Sequence, residues 1–276
     1  MSLNFGIIAS SRGTAAPPSA LLLDTYPSAA AAYSLRKLRT AYTGAAIRVN
    51  RSSDSAQTDI FFDGNGQLDI LTLTTFVGIS TSQIVIWYDQ SGNGRNGTPF
   101  NQANAPRIII SGVLQTQLSK PTIAFFTSIL CGIQTGYTLN NPFTMIGVLS
   151  QTSGANLGTR IFSAEGQGNL LTIARVNVTS VFTNGVVCDF PSKVLGQPYL
   201  VSFSRQSSTS FVYQNGAIVP NSATLSNNWG VFGLNSVSGT AEGVESKISE
   251  VIVYPSNQNS NIAGINTNIN SFYSIY

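Results

Sequence analysis

Short apolar runs separated by turn-forming residues fill the chain from residue 82 to its end. Examples are QIVIWY, FTMIGVL, YLVSFS and KISEVIVY, and Gly, Asn, Pro or Ser stand between successive runs. Many short strands with regular turn signals are typical of a β-sandwich or a barrel. Because 42% of the residues are hydrophobic, the chain has enough apolar surface for one large core. We therefore predict a single all-β domain rather than two small ones.

Two segments have the apolar spacing of an amphipathic helix. In AAAAYSLRKLRTAY the apolar residues recur at helical spacing, with Ser28 before the run as an N-cap and Gly44 after it as a stop. This pattern predicts a helix over 29–42. Its basic residues are expected on a solvent-exposed face, or against an acidic glycan or a neighbouring subunit. Near the C-terminus, a second apolar stripe predicts a helix over 258–273 that packs on the edge of the domain.

Two shorter segments are marked by their end and turn residues. Residues 69–77 fit a helix, since Asp69 can cap it and Gly78 can end it, but their Thr and Ile content favours a strand. In VYQNGAIV, the pair Asn215-Gly216 lies between β-forming residues. Both central residues of a type I′ turn need a positive φ, which Asn and Gly tolerate, so this pair predicts a β-hairpin.

Residues 1–25 are separate in character from the domain that we place at 26–276. The apolar residues 5–9 and 21–23 flank a segment rich in Gly, Pro and Ser, which predicts an arm that anchors the domain to another protein or to a second copy. The alternatives are a disordered terminus and an extra edge strand. The start of the chain lacks the regions of a signal peptide, and no apolar run reaches the roughly 18 residues that span a bilayer, so we expect no membrane partner.

Low charge and the absence of histidine exclude several function classes. Charged residues make up 9% of the chain and the net charge is +3, which argues against a nucleic-acid partner held by phosphate neutralisation. With no histidine, Ser-His-Asp and Cys-His catalysis are excluded. The two cysteines, Cys131 and Cys188, do not suffice for a structural zinc site. They are either buried thiols or a disulfide, and their spacing does not decide which.

The segment WYDQSGNGRNGT contains the best local motif, an acidic residue at a strand end followed by a glycine-rich turn. One interpretation is that the Asp89 carboxylate accepts backbone N–H groups and holds the loop. The other is that the loop contacts a sugar. In that case the predicted binding residues are Tyr88, Asp89, Gln90, Asn93 and Arg95.

The segment DGNGQLD offers a candidate calcium site. Asp63, Asn65 and Asp69 supply side-chain oxygens, which calcium prefers, although a plain Asn-Gly turn explains the segment as well. We predict no other metal and no other cofactor.

Two stretches resemble known families. AYSLRKLRTAYTGAAIRVNRSSDSAQTDIFFDGNGQLD, followed by FVG and IVIWYDQSGNGRNGT, resembles the N-terminal half of the type B α-L-arabinofuranosidase catalytic domain. The ending SKISEVIVYPSNQNSNIAGINTNINSFYSIY is similar to the closing strand and helix of laminin-G-like, concanavalin A-like domains. The resemblance implies a concanavalin A-like jelly-roll β-sandwich with a few short peripheral helices, and it favours a helix over 69–77. The opening LLLDTYPSAAAAYSLRKLRTAYTG resembles phage-encoded structural proteins.

Glycosidases generally use two carboxylates that face one sugar. The acids after the first third of the chain are Asp89, Glu165, Asp189, Glu242, Glu245 and Glu250. None of them aligns with the catalytic pair of the arabinofuranosidase family, and the paired vicinal cysteines of that family are missing. We therefore predict no catalytic residues and no enzymatic activity.

These observations together predict a non-catalytic component of a bacteriophage virion, such as a fibre, an adhesin or a decoration protein, that contacts host-surface glycans. We expect it on the particle surface, as a homo-oligomer, bound to other virion proteins through the arm and to host-surface polysaccharide. The alternatives are an arabinofuranosidase-like glycoside hydrolase and a structural decoration protein without a ligand.

Overall fold

The structure is a computed structural model, and it describes residues 20–127, 131–152, 161–166, 169–175, 178–183, 186–189, 194–207, 209–219, 230–235 and 244–276. Within 163–189 the description is of the backbone. The described residues form two large antiparallel β-sheets, a separate two-stranded hairpin and three short helices, α1 (Leu22–Thr25), α2 (Ile70–Val77) and α3 (Ile262–Tyr273), with a 3₁₀ turn at Gln102–Asn104. The predicted all-β class with a few short helices is confirmed.

The larger sheet has twelve strands within the described ranges, numbered here in chain order. From one edge to the other they are β19 (Ala217–Ile218), β18 (Thr209–Gln214), β17 (Tyr199–Gln206), β12 (Phe143–Gln151), β21 (Ser246–Tyr254), β10 (Ile123–Phe125), β6 (Arg107–Ile110), β4 (Ser82–Trp87), β2 (Ile47–Arg51) and β3 (Gln57–Ile60), with β1 (Ala31–Ser34) beside β21 and β7 (Val113–Leu114) beside β6.

The second sheet has seven strands in the part of the chain that the structure describes. In order they are β16 (Val186–Asp189), β15 (Val178–Thr183), β14 (Asn169–Arg175), β13 (Phe162–Gly166), β20 (Val231–Leu234), β11 (Ile133–Thr138) and β5 (Thr98–Pro99). A small hairpin joins β8 (Thr116–Gln117) to β9 (Lys120–Pro121).

The central strand β12 shows how the larger sheet is buried on both faces. All nine of its residues are buried. Met145 and Leu149 lie in the core between the two sheets, whereas Ile146 and Val148 lie on the opposite face, under α1 and α3. Successive side chains of a strand point to opposite faces, so a continuous apolar run is what a strand buried on both faces requires.

The C-terminal helix covers the outer face of the larger sheet. Ile262, Ile265, Ile269 and Tyr273 form its buried stripe, which is the helical spacing that the sequence predicts. The predicted helix is therefore confirmed, although it begins at Ile262 rather than at residue 258. Among the described residues, no helix combines the length and apolar character needed to cross a bilayer.

Two further local predictions are confirmed. Helix α2 begins after Asp69, whose carboxylate accepts the N–H of Thr72 at 2.9 Å, and it ends at Gly78. Strands β18 and β19 form the predicted hairpin, with φ of 50° at Asn215 and 79° at Gly216.

The predicted helix over 29–42 is wrong, because its first part is strand β1. Ala31 and Tyr33 pair with Val253 and Val251 of β21, and all four residues of β1 are buried. Small alanines fit between the sheet and the elements that cover it, and this tertiary pairing overrides their helix propensity. Ser28 has φ of 69° and lies three residues before the strand rather than capping a helix.

The last residues of the predicted arm belong to the domain. Leu22 and Leu23 are buried in the cluster beneath α3, and the Leu23 N–H donates to the Leu38 carbonyl at 2.8 Å. Residues 1–19 lie outside the described residues, so the anchoring role remains a prediction for them alone.

Candidate functional site

Asp89 organises the loop that follows β4. It is 4% exposed, and one carboxylate oxygen accepts the N–H groups of Ala32 at 2.9 Å and Ser91 at 2.8 Å. The other accepts the Ser91 hydroxyl at 2.7 Å and the Arg95 N–H at 3.0 Å. These bonds join the loop to β1, which confirms the structural interpretation of Asp89.

Gln90, Asn93 and Arg95 also bind backbone groups of the segment around β1. The fully buried Gln90 amide accepts the Leu38 N–H at 2.8 Å and donates to two carbonyls at 3.0 Å each. Asn93 and Arg95 both donate to the Ala30 carbonyl, at 3.0 Å and 2.8 Å. These predicted binding groups therefore all hold the fold, and Asn93 is in addition exposed at the loop tip. Contact between this loop and a sugar stays a prediction.

Tyr88 belongs to a polar cluster at the far end of the larger sheet. Its hydroxyl donates to Asp59 at 2.8 Å, and Arg48 donates two hydrogen bonds to the same carboxylate at 2.9 and 2.7 Å. Desolvation and the Asp59 carboxylate raise the pKa of Tyr88 to about 12. The Arg48 hydrogen bonds lower the pKa of Asp59. The neighbouring Trp87 is fully buried, as alternation along a strand requires.

The candidate calcium ligands make local hydrogen bonds. One Asp63 oxygen accepts the N–H groups of Asn65 and Gln67 at 2.9 Å each, and Asp69 caps α2. Within the described ranges, no group of three or more Asp, Glu, Cys or His residues is placed to hold a metal ion. Calcium binding by Asp63, Asn65 and Asp69 stays a prediction.

Glu250 forms a buried ion pair with Arg36 beneath α3. It is fully buried, and Arg36 donates to its two oxygens at 2.7 and 2.9 Å. Ser34 donates to the same carboxylate at 2.8 Å. A carboxylate that is closed off from solvent in this way is not available to a polysaccharide, so Glu250 serves the packing of the helix.

Among the other carboxylates of the later chain, those that the structure describes lie in the second sheet or just before β21. Glu165 stands in β13, opposite Leu170 of β14 and Val231 of β20, and the Val231 side chain is 49% exposed. Asp189 ends the edge strand β16, opposite Ser180. Glu245 is half-buried just before β21, and Glu242 lies outside the described residues.

The sequence of this chain is similar to that of a known protein family. The family model "Alpha-L-arabinofuranosidase B, catalytic" matches residues 23–181. A probable α-L-arabinofuranosidase B of Aspergillus flavus is 40% identical over 99 residues, which are 34% of this chain and 19% of the relative. The chain thus spans only part of that curated relative.

Two solved structures share the fold. A GH54 α-L-arabinofuranosidase soaked with a cyclic sulfate inhibitor superposes with a TM-score of 0.65 at 16% identity, over 87% of this chain and 62% of that one. An arabinofuranosidase complexed with arabinofuranosyl-α-1,2-xylobiose gives 0.62 at 17% identity, with the same two coverages. At this identity the likeness establishes the fold.

The family match overturns the expectation of a non-catalytic phage virion component without enzymatic activity. That expectation depended on the failure to align a carboxylate pair, and the recognised N-terminal motif ended near residue 98. The matched region continues through β13 and therefore includes Glu165. With more than half of its 276 residues matched, the chain belongs to the α-L-arabinofuranosidase B catalytic-domain family.

Proposed function

We propose that this protein is a glycoside hydrolase that releases arabinofuranosyl groups from polysaccharide side chains. The observation that carries the proposal is the match of residues 23–181 to the catalytic-domain family. The fold shared with an arabinofuranosidase complexed with arabinofuranosyl-α-1,2-xylobiose supports the same substrate class. An arabinose-substituted xylan is therefore the substrate to test first.

We expect the chemistry to come from carboxylates, which most glycosidases use, and the chain contains no histidine that could act as a general base in their place. In glycoside hydrolysis one carboxylic acid protonates the leaving oxygen, and the second carboxylate acts as a nucleophile or activates water. The two groups are about 5–5.5 Å apart in retaining enzymes and about 6.5–9.5 Å apart in inverting ones. The site must therefore bring two acids to one sugar ring.

Several acids are poor candidates because they already hold the structure. Asp89 accepts four hydrogen bonds from the loop and β1, and Glu250 is paired with Arg36. Asp54 and Asp59 form ion pairs with Arg51 and Arg48.

Glu165 is the first candidate for one of the two roles. It lies within the matched region, in the middle strand of the second sheet, with β14 and β20 paired on either side. A strand of the scaffold positions a catalytic group more precisely than a loop does. Asp189 and Glu245 are the candidates for its partner. They are the other later carboxylates that the structure describes outside the loop of Asp89 and the ion pair of Glu250, and each needs its own variant.

The test is hydrolysis of 4-nitrophenyl α-L-arabinofuranoside by the wild type and by Glu165→Gln, Asp189→Asn and Glu245→Gln. Removal of a catalytic carboxylate is expected to lower kcat by about 10²–10⁴-fold with an unchanged melting temperature. Asp54→Asn is the matched control, since Asp54 is an exposed carboxylate paired with Arg51, and it should retain full activity. A folded wild type that hydrolyses no arabinofuranoside contradicts the proposal, whereas full activity in Glu165→Gln contradicts the assignment of that residue.

A further inference from the structure

A pocket of about 200 Å³ opens where the chain leaves β3, at the edge of the larger sheet. Its lining includes one cation, one carboxylate and three aromatic rings, from Lys37, Tyr42, Phe61, Phe62 and Asp63. It is smaller than the roughly 300–1,000 Å³ pockets that hold drug-sized ligands, so its volume suits a single sugar ring.

Hydrogen bonds and an aromatic contact hold the residues that line the pocket. The Lys37 N–H donates to the Gly66 carbonyl at 2.7 Å, and the Asp63 N–H donates to the Gln67 carbonyl at 2.7 Å. The Tyr42 hydroxyl donates to the Ala45 carbonyl at 2.8 Å, and the Tyr42 ring meets Phe62 edge to face with 6.3 Å between centroids. A pocket held in this way needs little ordering when a ligand binds.

Three groups at the pocket are available to a ligand. Phe61 is 51% exposed, which leaves much of an aromatic ring in water. Within the described part of the chain, the Lys37 ammonium has no hydrogen-bond or ion-pair partner, and both hydrogen bonds to the Asp63 carboxylate fall on one of its oxygens. Of the residues that line the pocket, Phe61 can offer an apolar face, Lys37 three N–H donors and Asp63 a carboxylate acceptor.

We propose that this pocket binds one neutral sugar residue of a polysaccharide. A sugar ring carries C–H groups that pack on an aromatic ring, and hydroxyls that accept from the ammonium and donate to the carboxylate. The single cation and single carboxylate balance each other, which favours a neutral sugar over an acidic one. Hydrolysis needs two carboxylates, and the lining contains one, so the pocket binds sugar without cleaving it.

The identity of the bound sugar rests on the proposed function, whereas sugar binding by the pocket does not. If the enzyme removes arabinofuranosyl groups, the pocket holds an arabinose or xylose residue of the same polysaccharide. It would keep the enzyme on the polymer between successive cleavages.

The experiment is native electrophoresis of the full chain in gels that contain soluble arabinoxylan at increasing concentrations. The retardation of each protein gives its dissociation constant for the polymer. We expect Phe61→Ala to raise this constant about tenfold and Lys37→Gln to raise it as well. Ile79→Ala is the matched control, because Ile79 is 92% exposed and lies outside the pocket lining, and it should match the wild type.

Turnover of 4-nitrophenyl α-L-arabinofuranoside separates this inference from the proposed function. The inference requires that Phe61→Ala keep wild-type turnover of this small substrate while polymer binding weakens. Equal retardation of the wild type and both pocket variants overturns it, and so does a loss of small-substrate turnover in Phe61→Ala. An inactive wild type whose retardation still depends on Phe61 would refute the hydrolase and leave the pocket intact.

Discussion

Single polar residues in this protein act mainly by holding the backbone in place. The motif WYDQSGNGRNGT suggests a binding loop, but Asp89 and Gln90 are buried and bind the strand β1. The sequence shows an acidic residue before a glycine-rich turn, which predicts the loop role of Asp89. It does not show that the segment near residue 30 passes beside this loop, because that contact joins positions 57 residues apart.

Asp89→Asn should destabilise the fold. The asparagine side chain has one oxygen instead of two. If that oxygen keeps the N–H groups of Ala32 and Ser91, the Arg95 N–H would face an NH₂ group and lose its partner. Each unsatisfied buried donor costs about 1–3 kcal/mol. We expect a loss of about 1–3 kcal/mol in the free energy of unfolding, measured by urea denaturation. A loss no larger than that of Asp63→Asn, whose carboxylate is exposed, would contradict the role assigned to Asp89.

Asp59 should make stability depend on pH on the acid side. The Arg48 hydrogen bonds lower its pKa in the folded state, below the unfolded value of about 3.9. A depressed folded pKa contributes stability above the unfolded pKa, and this contribution is lost as the pH falls through about 4 toward the folded pKa. The melting temperature of Asp59→Asn should therefore fall less than that of the wild type between pH 5 and pH 3. Parallel curves would show that the pair adds no pH-dependent stability.

The strands and helices follow from the sequence where local and tertiary preferences agree. Helix α2 has a capping aspartate and a terminating glycine, α3 has a buried stripe, and the Asn215-Gly216 turn has the two positive φ values that its residues favour. The helix predicted over 29–42 was wrong because the alanines of β1 suit both a helix and a closely packed strand. The decisive interaction, pairing with β21, lies more than 200 residues away along the chain.

Gly147 lies at a close contact between the two sheets. It lies in β12 opposite Val251 and Val201, and a Cβ placed there would overlap the ring of Phe162 from the second sheet. Gly147→Ala should cost about 1–3 kcal/mol through overpacking, which thermal unfolding will measure. Gly64→Ala is the control, since a Cβ at Gly64 meets no atom within 4 Å.

A double variant tests whether the clash with Phe162 is the cause. Phe162→Leu in the Gly147→Ala background should recover part of the lost stability, because the smaller side chain leaves room for the added methyl group. If the stability losses of the two single variants simply add in the double variant, the cost of Gly147→Ala has a cause other than the clash with Phe162.

At the scale of the whole molecule, the strand pattern predicts a sandwich but not the site it supports. Alternating apolar runs specify which faces are buried, whereas the sheet in which a strand lies depends on long-range pairing. Glu165 therefore appears in the sequence as an isolated acid, and its place in the second sheet comes from the pairing of β13 with β14 and β20. The family match through that strand supplies the functional inference that spacing alone did not.

The proposed activity of this chain is the cleavage of arabinofuranosyl linkages. The most direct measurement is a proton NMR time course of purified protein with soluble arabinoxylan, which detects free arabinose as it forms. We predict steady release of arabinose by the wild type and by Asp54→Asn, and release reduced about 10²-fold or more by Glu165→Gln. A folded wild-type protein that releases no arabinose from arabinoxylan or from 4-nitrophenyl α-L-arabinofuranoside would contradict the proposal.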